Sequence, residues 1–134
     1  MFDLVSFVRA LAFAVFYAGI EYRYVNRREE EWTKKMEGFF EKPAFWKITP
    51  YQAYLLFPIF VIAGCAMPVT AWAGNTLLIM VLEDIAYFVW RGSWVRAGEW
   101  TTTLLGSIGA GRRVIPLWWI PSILLVVVLY LAPL

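Results

Sequence analysis

Glu83 and Asp84 stand side by side inside an otherwise apolar run, Met80 to Trp90, that reads MVLEDIAYFVW. Two adjacent acids in such a run need a reason. An ionised acid near the centre of a membrane helix costs about 2.5–3.5 kcal/mol when it faces lipid, so it must face protein or water. Burial and mutual repulsion both disfavour the doubly charged pair. A buried carboxylic acid can protonate an alkene or an oxygen, and a carboxylate can remove a proton or stabilise a carbocation. Glu83 and Asp84 are therefore the candidate catalytic residues. Successive helix positions differ by about 100°, so the two carboxyls do not share one face.

Their helical neighbours extend the candidate site. Glu83 shares a face with Tyr87 and Trp90, and Asp84 shares one with Phe88 and Arg91. Glu21, Glu99 and Trp100 lie at the same end of the expected bundle. The expected substrate-binding set is thus Tyr87, Trp90, Arg91, Glu21, Glu99 and Trp100. Aromatic faces suit a cationic centre. The alternative reading is that the acids bond to arginines or backbone groups and only fix helix packing.

The heptapeptide LEDIAYF, residues 82–88, resembles the acid-acid-x-x-aromatic-aromatic motif of small membrane-bound lycopene cyclases. Those enzymes form carotenoids and carry acidic residues in transmembrane helices. The resemblance implies acids that act on an isoprenoid. It covers seven residues. Asp84 stands where the motif usually has a second glutamate, Tyr87 where it usually has a phenylalanine, and no second motif matches.

What must position these residues follows from composition. Of 134 residues, 61% are hydrophobic and 16% charged, and the charges are confined to short regions. This distribution predicts an all-α integral membrane protein folded as a single domain. Four apolar segments are expected to be transmembrane helices: Leu4 to Tyr24, Tyr51 to Trp72, Asn75 to Trp90 and Val114 to Leu134. A span needs about 20 residues, and the third is short. Ala73, Gly74 and Asn75 are expected to form a tight turn between the second and third. The first block has Asp3 rather than a basic cluster before it, and is read as a retained helix rather than a signal peptide.

Both long connections are basic. The first carries Arg23, Arg27, Arg28, Lys34, Lys35, Lys42 and Lys47; the last carries Arg91, Arg96, Arg112 and Arg113. Four spans put both on one side, which the positive-inside rule makes cytoplasmic, with both termini outside. Absence of a disulfide-capable cysteine pair fits a prokaryotic plasma membrane. Arg9, near the outer end of the first span, is expected to snorkel or to pair with Asp3. Within the first connection, Trp32, Met36, Phe39 and Phe40 fall on one face, and Glu30–Lys34 and Glu31–Lys35 are favourable i,i+4 pairs. An amphipathic cytoplasmic helix is expected there. The glycine-rich stretch from Arg91 to Arg113 matches neither the phosphate-loop nor the dinucleotide pattern and reads as a flexible loop.

The chain has no histidine and one cysteine, Cys65. This excludes histidine-ligated metals and Ser-His-Asp triads, and leaves only oxygen-ligand sites for magnesium or calcium. No metal site and no particular cofactor is indicated. The net charge of +2 does not suggest nucleic acid as a partner. The expected partners are membrane lipids, with a larger membrane-protein complex or a homo-oligomer as further possibilities. The leading functional reading is binding or modification of a lipid or isoprenoid by acid–base chemistry. Two others stay open: an accessory subunit of a larger complex, and proton or ion transport as a homo-oligomer.

Overall fold

The structure is a computed structural model and describes residues 3–25, 52–110 and 113–132. The amphipathic helix expected within 26–42, together with Arg27, Arg28 and Arg112, lies outside the described residues. The described chain is mostly helical. Helix α1 spans Leu4–Ile20 and continues into a π-helical turn, Glu21–Val25. A second π-helical turn, Gln52–Leu56, leads into α2, Phe57–Ala63. Then come α3, Val69–Arg91, and a short helix α4, Trp100–Thr103. Strands β1, Ser107–Ala110, and β2, Arg113–Pro116, precede α5, Trp119–Leu131.

Asp3 caps α1 by accepting from the Val5 N–H at 3.0 Å, which satisfies one of the free donors of the first turn. The Ser6 hydrogen bonds hold the Asp3 carboxyl below its ordinary range. Ser6, Ala10, Ala14, Ala18 and Gly19 are buried. Four of them recur every fourth residue, and this small-residue stripe lets α3 approach closely. The opposite face exposes Leu4, Val5, Val8, Leu11, Val15, Phe16 and Ile20.

The turn between α2 and α3 falls at Gly64–Pro68, not at Ala73–Asn75. Pro58 sits where the π turn passes into α2. Pro68 occupies the N-cap of α3. Gly64 tolerates no side chain, since a Cβ would lie 2.8 Å from the Thr76 backbone nitrogen. Gly74 and Asn75 stay helical because tertiary partners serve them. Asn75 Nδ2 donates to the Gly64 carbonyl at 3.2 Å, and the Tyr130 hydroxyl donates to Asn75 Oδ1 at 2.5 Å. Gly74 admits the Tyr130 ring.

The stretch after α3 is not an unstructured loop, and the fold is not purely α-helical. Gly92 ends α3 in the left-handed region at φ 72°, a conformation that costs glycine little. After α4, β1 and β2 form an antiparallel hairpin with Ser107 opposite Pro116 and Ala110 opposite Arg113. The last helix therefore begins at Trp119 rather than Val114.

Direction follows from the contacts. Arg9 donates to the Cys65 carbonyl beside the start of α3, whereas Tyr22 meets Tyr87 near its end. Hence α1 and α3 run parallel. Tyr130 meets Asn75 while Trp119 meets Asp84, so α5 runs antiparallel to α3. α2 is also antiparallel to α3 across the turn at 64–68, with Trp72 Nε1 donating to the Val61 carbonyl at 2.6 Å. One core joins Ala10, Ala14, Leu56, Phe60 and Ile79; another joins Val81, Phe88, Val95, Val114, Trp118 and Trp119. Two helices, Leu4–Tyr24 and Val69–Arg91, are long and apolar enough to cross a membrane. Gln52–Ala63 and Trp119–Leu131 are shorter apolar helices.

Candidate functional site

Glu83 and Asp84 point to different partners, as helical geometry requires. Glu83 is 5% exposed. The π turn at the end of α1 brings the Glu21 carboxyl close to it. Two neighbouring carboxyls can hydrogen-bond to each other only when one of them carries a proton. Glu83 Oε1 is buried and has no hydrogen-bond partner among the described residues. Unpartnered buried polar atoms are rare and call for an explanation. Single π turns inside helices frequently mark functional positions. Tyr22, beside Glu21, and Tyr87, one turn beyond Glu83, meet edge to face at 5.8 Å.

Asp84 is differently placed. Its Oδ2 accepts from the Thr101 hydroxyl at 2.5 Å and from Trp119 Nε1 at 2.8 Å. Trp118 Nε1 donates to Thr101 Oγ1 at 2.8 Å. Indole can only donate, so the Thr101 proton is directed onto Asp84. Asp84 thus ties α3 to α4 and to the start of α5. Its carboxylate is an anchor, and Glu83 is the acid left with unused hydrogen-bonding capacity.

Arg91 and Glu99 bond to each other rather than lining the acid pair. Arg91 Nη1 lies 2.7 Å from Glu99 Oε1, and Nη2 lies 3.3 Å from Oε2. Arg91 Nε also donates to Ser93 Oγ at 2.8 Å, and its guanidinium lies over the Phe88 ring at 4.7 Å. Glu99 accepts in addition from the Arg96 N–H. The bidentate pair closes the loop that carries α4 and Thr101. Trp90 donates to the Val15 carbonyl at 2.8 Å and packs on Gly19, where a Cβ would come within 2.9 Å of its ring. It clamps α1 to α3. Trp100 is half-buried at the start of α4.

Six of the eight expected residues therefore separate into three groups, Glu21 and Glu83 with Tyr87, the Asp84 anchor, and the Arg91–Glu99 closure, while Trp90 binds α1 and Trp100 opens α4. Thr101, Trp118 and Trp119 escaped the sequence reading. Their signal was present as a threonine run and a Trp-Trp pair, but nothing local ties either to Asp84, which lies 17 residues from Thr101 and 35 from Trp119. No group of three or more acids or cysteines capable of holding a metal occurs among the described residues. Comparison with known protein families, curated proteins and solved structures yields no match.

Proposed function

We propose that this chain is a multi-pass membrane protein that binds a lipid or isoprenoid at the Glu21–Glu83 end of its bundle and moves a proton to or from it. The observation that carries this reading is the buried Glu83 carboxyl, with one oxygen unpartnered and the Glu21 carboxyl beside it. A carboxyl pair holding one proton is chemically equipped both to give and to take it. Tyr22 and Tyr87 offer aromatic faces to a cationic centre formed nearby. Asp84 acts as a positioning residue that fixes α3 against α4 and α5.

Membrane placement is supported by the exposed apolar faces of α1 and α5. On α5 the exposed residues are Ile120, Ile123, Leu124, Leu125, Val127, Val128 and Leu131. Together with the α1 face, they form more apolar surface than a water-soluble monomer ordinarily presents. The alternating directions of α1, α2, α3 and α5 suit four passes, with Glu21, Arg91 and Arg96 at the cytoplasmic end. The 13-residue α5 covers only about 20 Å at 1.5 Å per residue. Val114, Pro116 and Trp118, which are buried, extend that pass as non-helical chain packed on protein, the setting in which a membrane tolerates it.

The test compares extracted lipids from source membranes carrying the wild-type protein or Glu83→Gln, alongside native mass spectrometry of both purified proteins. The reading expects one lipid- or isoprenoid-class species bound to the wild type at fixed stoichiometry. It also expects that species or its product to change in the variant while thermal melting by circular dichroism stays the same. Identical lipid profiles with an intact fold would overturn it.

A further inference from the structure

At the opposite end of the bundle, α1 and α2 leave an open cleft of about 320 Å³ lined by Arg9, Phe13, Ile59, Ile62 and Ala63. Four of its five lining residues are apolar, and the fifth is a guanidinium. Ile62 is 72% exposed, so the cleft opens sideways onto the same kind of apolar surface that α1 presents. Arg9 reaches only the neutral Cys65 carbonyl. Asp3 feels the Arg9 charge, but its carboxylate caps α1 and makes no ion pair with Arg9. The sequence expectation of an Asp3–Arg9 pair is thus not met. The only ion pair among the described residues is Arg91–Glu99, far along the bundle.

A snorkelling arginine would extend away from the helices toward water. Arg9 instead turns toward the α2–α3 turn and keeps its charge at the rim of an apolar cleft. An arginine's planar fork pairs well with a phosphate, and its remaining donors have no partner among the described residues. The volume sits at the low end of the roughly 300–1,000 Å³ typical of small-molecule pockets, enough for part of one chain and not for a whole diacyl lipid.

We propose that this cleft is a binding site for an anionic phospholipid of the surrounding bilayer. A segment of one acyl chain lies between Phe13 and Ile62, and the phosphate sits on Arg9. The proposal rests on the membrane placement given above and is independent of the chemistry at Glu83.

The experiment is native mass spectrometry of the full chain in detergent, titrated with phosphatidylglycerol, with phosphatidylcholine of the same chains, or with oleate. The wild type is expected to retain phosphatidylglycerol roughly tenfold better than phosphatidylcholine. Arg9→Gln should bring the two close to parity, and Arg9→Lys should keep part of the preference. Ile62→Trp fills the cleft and should lower retention of both lipids with the Arg9 charge intact. Leu124→Ala, on the exposed face of α5 and outside the cleft, should leave all of these ratios unchanged. Equal retention of the two lipids by the wild type, or an unaltered preference in Arg9→Gln, overturns the site. Stronger retention of oleate than of phosphatidylglycerol overturns the phospholipid as its occupant. Recovery of the protein in detergent-free aqueous extract would overturn the membrane placement itself, a result read separately from the lipid ratios.

Discussion

Glu21, on the π turn that ends α1, brings its carboxyl beside that of Glu83, in the middle of α3. Sixty-two positions of sequence separate them. The pair closes only because α1 and α3 run parallel with a stripe of small residues between them. One proton shared between buried Glu83 and half-buried Glu21 should be visible as a protonated-carboxyl carbonyl band in difference infrared spectra. Glu83→Gln and Glu21→Gln should each remove that band. Its persistence in both variants would show that the proton belongs elsewhere.

Removing a partner is worse than replacing it. Glu21→Ala strands the Glu83 carboxyl in a buried site, and the penalty for an unsatisfied buried group is about 1–3 kcal/mol. Glu21→Gln retains a donor and should cost less. Denaturant titration in detergent should rank Glu21→Ala below Glu21→Gln in stability, and the reverse order would contradict the pairing.

The Asp84 anchor should behave as one network. Thr101→Val removes a donor from Asp84 and orphans Trp118 Nε1, at a cost of about 1–3 kcal/mol. Trp119→Phe removes the second donor. A double-mutant cycle between the two should give a coupling energy of about 0.5–3 kcal/mol, whereas independent sites add within about 0.5 kcal/mol. Additive costs would mean that the two bonds do not act through a common carboxylate.

Two glycines test the turn placement. Gly64→Ala would drive a Cβ against the Thr76 backbone, which cannot give way. Gly74→Ala meets the Tyr130 ring at 3.1 Å, and a side chain can shift. Overpacking of this kind costs about 1–3 kcal/mol. Melting temperatures should fall more for Gly64→Ala than for Gly74→Ala. A turn at Ala73–Asn75 would invert that order.

The Arg91–Glu99 pair is partly exposed, with side chains 23% and 29% accessible. Pairs of this kind contribute about 0–1 kcal/mol, and salt weakens them. Glu99→Gln should therefore lower stability by less than about 1 kcal/mol and leave the infrared signature of Glu21–Glu83 in place. A lost signature would tie Glu99 directly to the acid pair.

The lone cysteine reports orientation without any new mutation. Cys65 is exposed in the turn between α2 and α3, at the end of the bundle opposite Arg91. The proposed threading, four passes with the basic connections inside, would place it on the outer side. A membrane-impermeant maleimide should label it in intact cells, and a Cys65→Ser, Ala97→Cys variant, with Ala97 exposed beyond α3, should react only after permeabilisation. The opposite pattern would reverse the threading.

The sequence by itself determined that the protein is built mainly of apolar helices. It also singled out Glu83 and Asp84, because charge inside a long apolar run stands out without any knowledge of the fold. Glu21 was legible as an acid at a helix end, although its partner was not. Tertiary structure decided the rest. Gly74 and Asn75 look like a turn in isolation, since glycine and asparagine are poor in helices. Tyr130 and the Gly64 carbonyl, supplied from elsewhere in the chain, keep them helical. The hairpin at 107–116 was hidden because glycine-rich chain reads as loop until a second strand satisfies its backbone. The two acids were adjacent in sequence and so read as one site. A helix turns about 100° per residue, and that rotation sends Glu83 to α1 and Asp84 to α4 and α5, where one keeps an unused oxygen and the other becomes a structural tie.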